Sequence, residues 1–209
     1  MSEWQTIDHA LAYLARADKL PHRTEGERAL LDQIPVHTRR VLDLGTGDGR
    51  LLALVKVNRP HVEGVALDFS EPMLNQAKKR FAQDKHVTIL KHDFSFSLPA
   101  EQIGHFDAVV SSLAIHHLAD SRKKQLYKEI FDVLNPKGVF CNLEHVSSST
   151  KNLHLKFLAA TGFTPQTEDP SNKLLNVETQ LQWLKQIGFT DVDCYWKWLE
   201  LALLIGFNP

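Results

Sequence analysis

Asp43-Leu44-Gly45-Thr46-Gly47-Asp48-Gly49 sets an acid ahead of three strictly alternating glycines. Glycines at 45, 47 and 49 let the chain turn sharply with no side chain over the turn, so a flat ligand can approach the backbone amides closely. A further acid, Asp68, follows about twenty residues on, the usual distance from such a turn to an acid at the tip of the second strand. Its two carboxylate oxygens can accept the hydrogens of both ribose hydroxyls, which suits any nucleoside ligand. The dinucleotide fingerprint fits less well, because Arg50 stands where that pattern has its last glycine. A second group of titratable side chains, His116-His117 and Glu144-His145, lies further along. A histidine there can serve as a general base near neutral pH, or can simply pack or cap ahead of the next helix. Metal binding is disfavoured, since two neighbouring histidines do not supply three or four converging donors.

The elements that must hold these residues alternate between strand and helix. Val41 to Leu44 reads as a first strand, and the helix from Arg50 turns Leu51, Leu52, Leu54 and Val55 inward. Val62 to Leu67 is a second strand ending at Asp68, and Ser70 suits the cap of a helix that continues with Glu71-Pro72. On that helix Met73, Leu74, Ala77 and Phe81 form the buried stripe, while Phe69 and Met73 lie close enough to the glycine turn to touch an adenine ring. Val87 to Leu90 and Phe106 to Leu113 give the third and fourth strands, and Val139 to Leu143 the fifth, after a helix over 120–134. Residues just past the carboxyl ends of strands in an open sheet face the ligand crevice, which places His116, His117, Glu144 and His145 on the ligand side. Before the first strand, residues 4–20 read as an amphipathic helix, and Thr24 with Glu27 as the capping box of a second helix reaching about Leu31. After the fifth strand come a helix over 151–160, a polar connector over 162–176, a helix over 177–187 and two strands joined near Trp198.

The chain has 209 residues, 43% of them hydrophobic, enough for one sizeable core and short for two. Its formal net charge of −1 gives no general attraction to phosphate or anionic lipid. The clusters Arg39-Arg40, Lys78-Lys79-Arg80 and Arg122-Lys123-Lys124 are short and scattered, and read as solvated helix faces, so nucleic acid is a disfavoured partner. Cys141 and Cys194 both sit in apolar, strand-like runs that suit buried reduced thiols. With no apolar run near the ~18 residues of a membrane span and no signal-like N-terminus, the expectation is a cytoplasmic protein with no membrane partner.

The form Asp43-x-Gly45-x-Gly47-x-Gly49 resembles the first motif of class I S-adenosylmethionine-dependent methyltransferases, and Phe106 to Leu113 is similar to their fourth. The resemblance runs from about Pro21 to the end of the chain. It implies an α/β fold, a Rossmann-like seven-stranded, mostly parallel sheet with helices on both faces and an antiparallel C-terminal strand pair. It implies one methyltransferase domain over 1–209, with 1–35 as a helical cover and 145–176 as a substrate-side cover. The implied cofactor is S-adenosyl-L-methionine, leaving as S-adenosyl-L-homocysteine. In this reading Gly45 and Gly47 form the floor, Asp43 takes the methionine ammonium directly or through water, and Arg23 takes its carboxylate. Asp68 takes the ribose, Asp93 the adenine amino group, and Phe94 covers the ring, with Phe69, Met73 and Ser111 completing the cofactor site. The segment Ser112-Leu113-Ala114-Ile115-His116-His117-Leu118 would lie beside the sulfonium.

Methyl transfer to a small molecule is the leading expectation, with His116, His117, Glu144 and His145 as the catalytic candidates. Two alternatives stand beside it. One is a methyltransferase-fold module that binds the cofactor without turnover. The other is methylation in transfer-RNA modification, because Trp196-Lys197-Trp198-Leu199-Glu200 and the double histidine are similar to a branch that works there.

Overall fold

The computed structural model describes residues 20–209. The helix expected over residues 4–20 therefore falls, apart from Leu20, outside the described residues. The first described helix, α1 (Arg23–Gln33), leads into β1 (Arg40–Leu44), α2 (Arg50–Asn58), β2 (Glu63–Asp68), α3 (Glu71–Arg80) and β3 (Val87–Lys91). A short α4 (Ala100–Ile103) precedes β4 (Phe106–Ser112), a 3-10 turn (Ile115–His117), α5 (Asp120–Val133) and β5 (Leu134–His145). The chain ends with α6 (Lys151–Thr161), α7 (Val177–Ile187), β6 (Thr190–Trp198) and β7 (Leu201–Phe207).

These strands form one seven-stranded sheet in the order β3-β2-β1-β4-β5-β7-β6, with β7 antiparallel to both β5 and β6 and the other pairings parallel. That is the fold the sequence implies. Strand β1 pairs with β2 on one side and β4 on the other, so the chain winds outward in both directions from it. A crevice must open at the carboxyl end of β1, where the two windings part.

Strand periodicity divides the core. Val41, Ala66, Val110, Cys141 and Leu143 face one side, where Leu30 and Ile34 from the α1 end and Leu51, Leu52 and Val55 of α2 cover them. Leu42, Leu44, Val65, Leu67, Val109 and Phe140 face the other, against Leu126, Tyr127 and Ile130 of α5 and Leu184 of α7. Burying each such aliphatic side chain contributes roughly 1.5–3 kcal/mol. Asp43 shares β1 with these residues and is only 1% exposed, so it sits where a carboxylate is costly.

Two local expectations are corrected. The Thr24–Glu27 capping box does not form: α1 begins at Arg23 behind a left-handed His22 that makes no side-chain cap, and Glu27 binds arginines instead. Strand β5 begins at Leu134, paired with Phe106, five residues before the expected start at Val139. Both cysteines are free, and among the described residues no helix is long and apolar enough to cross a membrane.

Candidate functional site at the carboxyl end of the sheet

Each glycine of the turn between β1 and α2 is required for a different reason. Gly45 has φ +69°, and a Cβ there would stand 2.2 Å from the Ala114 Cβ, so this position lets β4 and its 3-10 turn come close. Gly49 has φ +82°, and a Cβ would meet the Phe81 ring at 2.5 Å. Gly47 has φ +56°, and a Cβ there would find nothing within 4 Å, because the position faces open space.

Contrary to the expectation from the glycine pattern, the N–H groups of Gly45, Thr46 and Gly47 are engaged within the protein. Gly45 N and Thr46 N both donate to Leu67 O, at 2.9 and 3.0 Å, and Gly47 N donates to Asp68 Oδ2 at 2.9 Å. The glycines provide room, while the amides of Gly45 and Gly47 tie the turn to β2 and that of Gly49 closes the turn on Thr46 O.

A cavity of about 320 Å³ opens over this turn. Asp43, Gly45, Gly47, Asp68, Phe69, Met73, Asp93, Phe94, Arg23 and His117, all anticipated from sequence, line it together. Asp68 accepts from Gly47 N through Oδ2 and from Ser70 N (2.8 Å) through Oδ1, and the Phe69 backbone also bonds to its carboxylate. Asp43 Oδ2 accepts from Thr46 Oγ1 at 2.7 Å. Burial pushes the Asp43 carboxyl up to about 7 in spite of that bond, and burial likewise raises Asp68 against its backbone hydrogen bonds. Asp93 sits at the exposed rim, its Oδ1 accepting from Ser95 N at 2.9 Å.

Arg23 and Arg50, which also line the cavity, meet at Glu27, which is 2% exposed. Arg23 Nε donates to Glu27 Oε1 at 2.9 Å, and Arg50 donates to both carboxylate oxygens at 3.0 Å. Such a fork holds a guanidinium plane in one orientation. Sequence reasoning missed Glu27 and Arg50 here because the local pattern suggested a helix cap.

The remaining anticipated residues are not in the cavity wall. Ser111 Oγ donates to Leu44 O at 2.8 Å, a bond between strands, whereas the next residue, Ser112, does line the cavity, with a buried hydroxyl that has no partner among the described residues. His116 lies behind His117, with ring centres 4.1 Å apart, and its Nδ1 is 2.7 Å from Glu144 Oε1. Glu144 also accepts from His145 N at 2.9 Å and from Asn142 Nδ2 at 3.4 Å. Burial drives His116 well down and Glu144 up to about 7, so it pushes both groups toward their neutral forms. His145 Nε2 turns away to Glu200 Oε2 at 3.1 Å, where His154 Nδ1 also arrives at 3.0 Å from Glu200 Oε1. No cluster of three His, Cys, Asp or Glu side chains able to hold a metal lies among the described residues.

Comparison with known proteins agrees with this geometry. Residues 41–138, from β1 to the start of β5, match a family described as a methyltransferase domain. An uncharacterised methyltransferase of Mycobacterium tuberculosis is 34% identical over 137 residues, covering 64% of this chain and 66% of its own length. Another, from Bacillus pumilus, is 30% identical over 156 residues, covering 73% of this chain and 70% of its own. The chain belongs to the class I S-adenosylmethionine-dependent methyltransferases. Human N-acetylserotonin methyltransferase, solved in complex with S-adenosylmethionine, shares the fold with a TM-score of 0.70 at 17% identity, covering 98% of this methyltransferase chain and 57% of the human one. The methyltransferase thus spans just under two thirds of the mycobacterial relative and little more than half of the human protein.

Proposed function

We propose that this chain transfers a methyl group from S-adenosylmethionine to a small-molecule acceptor. The observation that carries the reading is that Asp43, Asp68 and Asp93 converge, with the open face of Gly47, on one cavity at the point where the sheet changes winding direction. The residues suit a cationic nucleoside with an amino-acid tail. Asp68 takes the ribose hydroxyls, Asp93 the adenine amino group, and Phe69, Met73 and Phe94 the faces of the ring. Asp43 takes the ammonium, and Arg23 with Arg50 the carboxylate. When bound, the cofactor supplies a methyl group already activated on a positively charged sulfur. What the protein must add is placement, worth on the order of 7–11 kcal/mol when both reactants are held at attack distance.

Of the four residues proposed for catalysis, His117 is the one in the cavity wall, and the His116–Glu144 pair supports it from behind. Burial, then the neighbouring His116, lower His117 to about 3, which keeps its ring neutral at physiological pH and suits it to orienting an acceptor by hydrogen bonding. The near-zero net charge supports a small acceptor over nucleic acid, which calls for a concentrated basic surface. Two free thiols support a cytoplasmic location. We place the described residues in one domain, with 20–35 and 145–176 covering the acceptor side; residues 1–19 of the expected cover lie outside the described residues.

Calorimetry tests the reading. S-adenosylmethionine and S-adenosylhomocysteine should bind with Kd about micromolar, some 8 kcal/mol, and Asp68→Ala should abolish the heat. Absence of binding by both compounds would end the proposal.

A further inference from the structure

The connector between α6 and α7 reaches into the site. Lys173 N donates to His116 O at 2.9 Å and Lys173 Nζ to His117 O at 3.0 Å, while the buried Lys123 Nζ donates to Lys173 O. These bonds hold the connector against the 3-10 turn, and Ser171 and Lys173 line the cavity. Within the connector, Asp169 Oδ1 accepts from Ser171 N at 2.8 Å and from the Ser171 hydroxyl at 2.7 Å. Ser171 Oγ in turn lies 2.9 Å from His117 Nδ1.

Counting hydrogens decides the state of that histidine. A serine hydroxyl has one hydrogen, and an ionised carboxylate can only accept. Burial works against ionisation of Asp169, yet its two bonds from Ser171 hold it below the ordinary carboxylate value. The hydroxyl hydrogen is therefore committed to Asp169, and Ser171 meets Nδ1 with a lone pair. Nδ1 must carry the ring's hydrogen, so in a neutral imidazole Nε2 is the acceptor.

We propose that Asp169 and Ser171 are positioning residues that lock His117 in its Nδ1–H form, so that this cavity-lining ring accepts hydrogen bonds and selects methyl acceptors bearing an O–H or N–H group. The opposite form would present an N–H and suit an acceptor that is already an anion. The inference rests on the methyl-transfer reading for its substrate, but the state of His117 can be measured without it. Among the described residues, the other titratable or charged groups around the ring are His116 on the 3-10 turn, Glu144 on β5, Lys123 on α5, and Asp169 and Lys173 on the connector.

Long-range proton–nitrogen correlation spectra of ¹⁵N-histidine-labelled protein, without ligand, read the tautomer directly, with His117→Gln assigning the signal. The wild-type spectrum should show a protonated Nδ1 and a bare Nε2. Ser171→Ala should exchange or mix the two nitrogen signals, as should Asp169→Asn, whereas Ser171→Thr, which keeps the hydroxyl, should preserve the wild-type pattern. A wild-type ring protonated at Nε2, or a pattern unmoved by both Ser171→Ala and Asp169→Asn, would overturn the relay. With S-adenosylhomocysteine present, phenol should shift the Nε2 signal and anisole, the same ring without the hydroxyl, should not. Equal responses, or none, would overturn the selection. Failure of S-adenosylhomocysteine to bind in calorimetry would sink the methyl-transfer reading while leaving the ligand-free tautomer result standing.

Discussion

Raising the pH from 6 to 8 should tighten S-adenosylhomocysteine binding by about tenfold, because Asp43 must lose a proton to receive the ligand's ammonium. Its carboxyl is held near 7 by burial, only partly offset by Thr46 Oγ1, with the charges of Asp68 and Asp48 adding to the rise. For a pKa about 7, roughly nine carboxyls in ten are protonated at pH 6 and one in ten at pH 8, and a tenfold change in affinity corresponds to about 1.4 kcal/mol. Calorimetry at pH 6, 7 and 8, repeated in buffers of different ionisation enthalpy, should show release of close to one proton per ligand at pH 6 and little at pH 8. Asp43→Asn should bind weakly and with no such slope. An affinity flat across this range in the wild type would refute the argument. So would a slope that survives in Asp43→Asn, since it would belong to another group, such as Glu144, also held near 7. The same raised pKa acts on stability. A carboxyl whose pKa is raised on folding stabilises the fold below its unfolded value near 3.8, and that contribution is lost as the pH rises through about 7. For Asp43 the full loss, between pH 3.8 and about 7, is on the order of 4 kcal/mol, of which roughly 2.5 falls above pH 5, so the ligand-free thermal midpoint should fall between pH 5 and 8, and ligand should restore more of it at pH 8.

Glu27→Gln should weaken S-adenosylhomocysteine by at least about tenfold, the worth of a charge-assisted hydrogen bond, and leave 5′-methylthioadenosine, which lacks the amino-acid tail, unaffected. Equal losses for the two would mean that Glu27 only supports the fold. Gly45→Ala should lower the thermal midpoint, since its methyl would collide with Ala114. Gly47→Ala should cost only about 1 kcal/mol of backbone strain yet impair ligand binding, and matching stability losses for the two variants would contradict the division of labour in the turn.

The parts of the site that could be read from sequence are those fixed by local repetition. Val41-Leu42-Asp43-Leu44 breaks into glycines at the end of a buried strand, and Asp68 ends the next one, so the register Leu44 with Leu67 brings them together without any long-range knowledge. What escaped notice depends on partners distant in the chain. Glu27 reads as a helix cap when only Thr24 is considered, and its role is set by Arg50, 23 residues on. Ser171 is an ordinary connector residue until the chain returns it to His117 across 54 positions. The turn amides have no sequence signal for their partners, because parallel pairing with β2, and not the glycine pattern, chooses Leu67 O and Asp68. Ser111 and Ser112 are identical in type, and only the strand's end decides that the first bonds to Leu44 and the second faces the cavity.

A raised carboxyl pKa alone does not tell a ligand-facing acid from one answered inside the protein. Asp43 and Glu144 are both held near 7 by burial. Glu144 has its oxygens answered within the protein, by His116 Nδ1, His145 N and Asn142 Nδ2. It has little left to offer a ligand, and its consequence is mechanical: it fixes His116, against which the His117 ring packs at a tilt. Asp43 and Asp68 line the cavity with acceptor capacity beyond their internal bonds, so a cation or hydroxyl donor placed there relieves a cost that the ligand-free protein bears. The distinction between supporting and binding acids therefore lies in where the unfilled lone pairs point, and it is why Asp43→Asn and Glu144→Gln should differ, the former removing the pH dependence of binding and the latter leaving it in place.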